Sequence, residues 1–343
     1  MGAPMAGVSG GKLAAATCQA GALGFIAAGH LMELESLEQE LTAFRQEAPT
    51  SPLCIGFIGY STFGTDEGWE RYERVLRKHK PAVVQFFAPA IHTQQSTGRS
   101  NVDVAHHHAA LVLAQVGSVQ DGLAAANASV NGLIAQGSEA GGHGLRREMG
   151  SAGSTLARDL IRKVAQDIPV LLAGGIVDGY GVASALALGC DGVVLGTRLW
   201  ASEEALGHES LKRALVDAES TDSVQRTTVF DQIQNTSSSI PWPEPFDSLG
   251  ALRNETTAKW DGRMNELSEE LSTGSQSTLC TIYREAQQEG NGQIAAVLCG
   301  EGVGAIDSIK SAYDIVKKIN EESVGIVRRM PKMLLDNCGE NRT

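Results

Sequence analysis

The sequence predicts a (β/α)8 barrel carrying a smaller lobe between its last strand and its last helix. Three observations carry this. Short apolar runs ending in Gly, Pro or polar turn residues alternate with amphipathic segments, the pattern of a parallel sheet covered by helices. Eight such runs occur, which fits a closed barrel better than an open doubly wound sheet of about five to seven strands. Glycine clusters mark the later run ends: Gln136-Gly137-Ser138-Glu139-Ala140-Gly141-Gly142-His143-Gly144, then Ala173-Gly174-Gly175-Ile176, then Leu195-Gly196-Thr197-Arg198.

In chain order the runs end near Met5, Ala28 (GALGFIAAG), Ile58 (PLCIGFIGY), Ala88 (PAVVQFFAP), Gly117 (LVLAQVGS), Gln136 (VNGLIAQG), Gly174 (PVLLAGG) and Gly196 (DGVVLGT). Only residues 2–5 are available for the first strand, short of the roughly five or six residues a strand usually has. Apolar positions three and four apart predict helices over 10–20, 67–79, 154–166 and 181–188. After about residue 210 the rhythm breaks. Residues 221–250 are rich in Ser, Thr and Pro, with Pro241, Pro243 and Pro245 around Trp242. A final helical pattern over 305–329, including Ile306, Ile309, Ala312, Tyr313, Val316 and Ile319, supplies the eighth outer helix. The expected division is therefore a barrel of 1–212 and 305–343, with a substrate or lid lobe of 213–304 overhanging the C-terminal mouth, where barrel enzymes place their chemistry.

Composition narrows the function. With 343 residues, 42% of them hydrophobic, the chain can bury one large core and a small second lobe. A formal charge of -12 and the lack of a basic stripe argue against nucleic acid as a partner. Cys18, Cys54, Cys190, Cys280, Cys299 and Cys338 show no C-x-x-C spacing, which points to reduced thiols and away from zinc. No signal-peptide pattern, no apolar run near the roughly 18 residues of a membrane span, and no peroxisomal address at Asn341-Arg342-Thr343 leave the cytoplasm as the expected location. Met1-Gly2 is not read as a myristoylation signal, because Ala6 stands where Ser or Thr is wanted.

Chemistry concentrates at the glycine clusters. Gly137, Gly141 and Gly142 let backbone approach a flat ring, and Gly174, Gly175, Gly196 and Thr197 offer N–H groups where many barrels hold a phosphate. Gln115 and Gln136 are polar residues ending apolar runs, where a buried amide needs a partner. A ring carbonyl or nitrogen is one; for Gln115 an internal partner is equally good. His143, beside the glycines, is the residue placed to move a proton, against the alternative of a histidine capping a helix. Glu139 either orients His143 or caps the next helix, and Arg198 either adds charge to the phosphate site or is solvated. Consecutive His106, His107 and His108 point different ways on a helix and have no ligand-spaced carboxylate or cysteine, so no metal site is read there. Trp242 and Tyr283 are candidate walls of the lobe or core residues.

In this order the segments Ala3-Pro4-Met5, GALGFIAAG, QVGS, AQGSEAGGHG, LLAGGI, VVLGTR and CGEGVGAI at 299–306 resemble the nitronate monooxygenase family, formerly called 2-nitropropane dioxygenases. The resemblance runs over nearly the whole chain. It implies an FMN-dependent barrel that oxidises alkyl nitronates, and by extension nitroalkanes, with O2 to a carbonyl compound and nitrite. It also implies that Ala3, Pro4 and Met5 lie along the isoalloxazine, that His143 is catalytic, and that no metal takes part. A homodimer is left open. Bacterial members carry an FMN-contacting Asn on the third strand where this chain has Gly56. NAD(P)H-dependent flavin enoyl-thioester reductases, or tailoring oxidoreductases of secondary metabolism, resemble the same segments and form the second reading. A non-catalytic flavin or sugar-phosphate binder is the third.

Overall fold

A computed structural model describes residues 1–29, 34–164 and 167–336. The end of the helix predicted to Gln166, Cys338 and the C-terminal Asn341-Arg342-Thr343 lie outside the described residues. Seven parallel strands form one sheet: β1 (Phe25–Ala27), β2 (Cys54–Ile58), β3 (Val83–Phe87), β4 (Leu111–Val116), β5 (Gly132–Gln136), β7 (Val170–Ala173) and β8 (Gly192–Val194), paired in that order. The strand numbered β6 (Gly142–Gly144) belongs elsewhere.

The gap between β8 and β1 is filled by the first predicted run, which is shorter than a strand. Gly2 makes a single parallel bridge to Leu195 and donates its N–H to Leu23 O at 2.8 Å, while Ala3 N–H donates to Leu195 O at 2.9 Å. The ladder stops there because Pro4 has no N–H to continue it. Met5 N–H turns instead to Ser9 Oγ at 3.1 Å, and that hydroxyl donates back to Ala3 O at 2.8 Å. A TIM-barrel-like parallel wall results, with residues 1–3 as its eighth stave.

Successive strand residues face opposite sides. The outward set, including Ile26, Ile55, Val84, Val112 and Leu133, packs under the helices in the main core. The inward set divides by height. Phe25, Cys54 and Val83, with Met1, Leu23 and Leu113, plug one end, and Ile134, Ala173 and Val194 pack beside them with Leu171 and Ala3. Two residues further along the same strands, the inward positions are Ala27, Gly56, Gln85, Gln115 and Gln136, and all five border a cavity. The interior is thus apolar at its floor and polar where it opens.

Helices form at Gly11–Gln19, Asp66–His79, Gly153–Lys163 and Gly179–Leu188, within a few residues of the predicted limits. Asp66–His79 shows why: Thr65 caps it by accepting from Gly68 N–H, Asp66 and Glu67 stand in the first turn, and Arg77, Lys78 and His79 in the last. The last helix departs from expectation, running Ala312–Asp336 and not from 305. Glu301–Ala305 makes a tight 3-10 turn against the barrel mouth, where a Cβ at Gly302 would lie 2.4 Å from Gly175 O. Residues 306–311 stay non-helical, with Lys310 bridging Ser202 and Ser311 capping the helix by accepting from Asp314 N–H at 3.1 Å. The helix itself packs on Gly179–Leu188 and Gly11–Gln19.

Beyond Trp200 the chain builds a second, antiparallel sheet, β6–β10–β9, from β9 (Val224–Thr227) and β10 (Ser248–Leu252). It borrows β6 from the glycine segment, pairing His143 with Leu249. Val229, Phe230, Ile233, Leu249, Trp260, Leu267 and Tyr283 form a separate core on it. No helix among the described residues is long and apolar enough to cross a membrane.

Candidate active site

The cavity at the barrel mouth has a volume of about 490 Å3, within the usual range for small-ligand sites. Ala3, Pro4, Met5, Gln115, Gln136, Gly141, Gly142, His143, Gly174, Gly175, Gly196 and Thr197 all border it. Gly137 does not. Its N–H donates to Ala173 O at 2.9 Å, and it has no room for a side chain because a Cβ would lie 2.0 Å from the Glu139 carboxylate.

The glycines act in two physical ways. Gly142 has φ +67, which turns the chain from the loop into β6; nothing lies within 4 Å of a Cβ there, so the requirement is conformational. Gly141 permits close approach, since its Cβ would meet the Cys299 backbone at 2.5 Å. Segment 299–301 braces two of the glycine loops: Gly300 N–H donates to Thr197 Oγ1 at 3.0 Å and Glu301 N–H to Glu139 O at 2.9 Å. Gly56 is explained by Pro4. A Cβ at 56 would fall 2.3 Å from the Pro4 ring, so an Asn there is incompatible with the way residues 1–5 close this barrel.

At the polar level, Gln85 donates from Nε2 to Gln115 Oε1 at 2.8 Å, and Gln136 donates from Nε2 to His143 O at 2.8 Å. Gln85 is 2% exposed, yet its Oε1 has no hydrogen-bond partner, a cost normally avoided. An unpaired buried acceptor beside bare glycine loops fits a ring with a polar edge and a phosphate tail. Glu139 caps the next helix and does not orient His143: both its oxygens accept from Gly153 N–H, at 2.9 and 3.1 Å. Burial holds this carboxyl above the ordinary glutamate range. Arg198 is neither solvated nor at the cavity; its buried guanidinium donates to Ala201 O and Ser308 O.

His143 is not a helix cap. Its Nε2 lies 2.7 Å from Asp231 Oδ1, and the indole of Trp242 stacks on its ring with centroids 3.6 Å apart and planes within 12°. Tyr60 and Phe87 flank that indole, at 4.9 and 6.3 Å. Arg226 holds the glycine loop to the lobe: Nε donates to Ser138 O, Nη2 to Ala140 O and Nη1 to Ser248 O. Enclosure pulls this guanidinium down to about 10. Tyr283 is a core residue, buried against Phe230. His106, His107 and His108 sit at the end of helix Asn101–His107, with His106 Nε2 on Asn131 Oδ1 at 2.9 Å. Among the described residues no group of three or more His, Cys, Asp or Glu is arranged to hold a metal.

Sequence reasoning missed Gln85, Asp231 and Arg226. Gln85 was detectable by the rule that finds Gln115 and Gln136, as one amide inside an apolar run (VVQFF). Asp231 and Arg226 carry no such local mark.

A parallel barrel whose mouth joins glycine loops to a half-buried imidazole around one cavity defines a barrel with a candidate small-molecule site. The nitronate monooxygenase family model matches residues 1–322, and the chain belongs to that family. It is 30% identical over 356 residues to the nitronate monooxygenase npaC of Metarhizium robertsii, covering 95% of this chain and 90% of that one. Among solved structures, a nitroalkane oxidase from Streptomyces ansochromogenes superposes with TM-score 0.76 at 24% identity, covering 96% of each chain. FabK from Thermotoga maritima does so with TM-score 0.74 at 25% identity, covering 97% of this chain and 94% of that one.

Proposed function

We propose that the cavity holds FMN and that the enzyme oxidises alkyl nitronates, and nitroalkanes by way of them, with O2 to a carbonyl compound and nitrite. The observation that supports this most is the convergence of three glycine bends and one imidazole on a single cavity of about 490 Å3. The N–H groups of Gly174, Gly175, Gly196 and Thr197 would hold the phosphate, and Ala3-Pro4-Met5 would border the ring. Gln85 Oε1 and the Gln115 amide offer an acceptor and a donor to its polar edge. Gly141 and Gly142 admit it without side chains. FMN held there would supply the electron acceptor for the nitronate, with O2 as the final oxidant.

The protein's own share is binding, orientation and proton transfer. For a neutral nitroalkane His143 takes the proton from the carbon beside the nitro group; for a nitronate it hydrogen-bonds the anion. We assign the barrel to 1–212 and 305–343 and the substrate lobe to 213–304, with Trp242 and Phe87 as apolar walls against water. A cytoplasmic location accords with the five described cysteines, all free thiols.

Anaerobic mixing tests the reading. The yellow protein is expected to bleach rapidly with a nitronate such as propionate 3-nitronate, and far more slowly with NADPH. Fast bleaching by NADPH with no response to nitronate would replace it with the enoyl-thioester reductase reading. Protein that stays colourless after incubation with FMN would remove the flavin altogether.

A further inference from the structure

One short helix of the lobe, Val229–Asn235, reaches His143 directly through Asp231 and indirectly, by way of Trp242, through Asn235. Asp231 and Asn235 are four residues apart and so share a helix face. Asp231 places Oδ1 at 2.7 Å from His143 Nε2. Asn235 clamps the backbone of Trp242, donating from Nδ2 to Trp242 O at 3.1 Å and accepting at Oδ1 from Trp242 N–H at 2.8 Å, and Trp242 stacks on the imidazole. The stack fixes the plane of the ring, and the carboxylate fixes its rotation within that plane.

Asp231 is a poor choice for stability alone. It is 1% exposed, and its second oxygen, Oδ2, has no hydrogen-bond partner. Burying a carboxylate with half its acceptors unmet costs free energy. The phenols of Tyr60 and Tyr283 and the guanidinium of Arg226 are the other titratable groups that feel its charge. Neither phenol hydrogen-bonds it, and the Arg226 donors are spent on the carbonyls of Ser138, Ala140 and Ser248.

We propose that Asp231 is the positioning residue of His143: it holds the proton on Nε2 and so makes Nδ1 the nitrogen that acts on the substrate, with Asn235 and Trp242 holding the ring plane. An ionised carboxylate only accepts hydrogen bonds, so the nitrogen facing it must carry the proton and the other is left with its lone pair. In the forward step the carbon–hydrogen bond beside the nitro group breaks, its proton goes to Nδ1, and its electron pair moves into the nitro group to give the nitronate. The proposal rests on the reading of His143 as a proton acceptor, and its test separates the two.

Two measurements decide it. Nitrogen NMR of histidine-labelled protein is expected to show His143 protonated on Nε2 and bare on Nδ1; the opposite tautomer overturns the proposal, whatever the enzyme turns over. Asp231→Asn no longer enforces one tautomer, because an amide presents either donor or acceptor. Its turnover of a neutral nitroalkane is expected to fall at least about 100-fold. The already ionised nitronate loses much less, and KM for the nitroalkane changes little. Asp231→Glu is expected to restore part of the nitroalkane-to-nitronate ratio, and Asn235→Ala to lower it more mildly than Asp231→Asn. Equal losses on both substrates, or none, would show that Asp231 only packs. A wild-type protein inactive on both substrates would sink the reaction assignment and leave the tautomer to be decided by the spectrum.

Discussion

Replacing His143 with alanine is expected to lower the turnover of a neutral nitroalkane by about 10²- to 10⁴-fold, the usual contribution of a positioned general base. The corresponding nitronate is expected to suffer less, because its carbon has already lost the proton that His143 would take. The same substitution strips Asp231 of the partner at its Oδ1, and a buried acceptor left unmet costs about 1–3 kcal/mol. A lower unfolding midpoint should therefore accompany the loss of activity. Oxygen consumption on the matched nitroalkane and nitronate separates the two effects, since a folding defect lowers both rates alike. Wild-type rates on both substrates would remove His143 from the chemistry.

The second large effect is expected at Arg226. One guanidinium satisfies three carbonyls, Ser138 O, Ala140 O and Ser248 O, and so stitches the glycine loop to β10, which pairs in turn with the β6 strand bearing His143. Arg226→Met keeps much of the volume and removes every donor. Leaving enclosed carbonyls unmet is expected to cost about 3–5 kcal/mol. Chemical denaturation should show the shift, and purified protein should carry less flavin, because the loop that admits the ring loses its anchor. Arg226→Lys reaches fewer of these acceptors and is expected to fall between. An unchanged midpoint with full flavin would mean that the loop is held by its brace from segment 299–301 alone.

Much of the barrel was legible because its signal is local and periodic. Short apolar runs closed by Gly, Pro or polar turn residues mark the strands of a parallel sheet wherever they lie, and the amides near their ends, Gln115 and Gln136, mark the height at which the interior changes from packed core to cavity. His143 was legible for a related reason: a single imidazole beside clustered glycines stands out in sequence. The first strand was legible only as an anomaly. Its resolution, a bridge of residues 1–3 ended by Pro4, needs the distance to Leu195, which local pattern does not contain.

The partners of His143 were hidden by sequence distance. Asp231 lies 88 residues from it, in a Ser- and Thr-rich stretch that reads as a loop, and meets it only because β6 leaves the barrel to join the lobe's sheet. The helix forecast over 305–329 holds from residue 312 and misses its start for a comparable reason: Lys310 bridges Ser202, a tertiary contact, and Ser311 caps the helix by accepting from Asp314 N–H at 3.1 Å. Arg198 illustrates the same limit, because an arginine next to a phosphate-type loop looks like a ligand until its donors are seen on Ala201 O and Ser308 O.

The most direct test of the account is a structure of the protein with FMN. The phosphate is expected on the N–H groups of Gly174, Gly175, Gly196 and Thr197, the polar edge of the ring at Gln85 and Gln115, and the reacting face within reach of His143 Nδ1. A flavin whose phosphate lies elsewhere, or whose ring is turned away from His143, would contradict it.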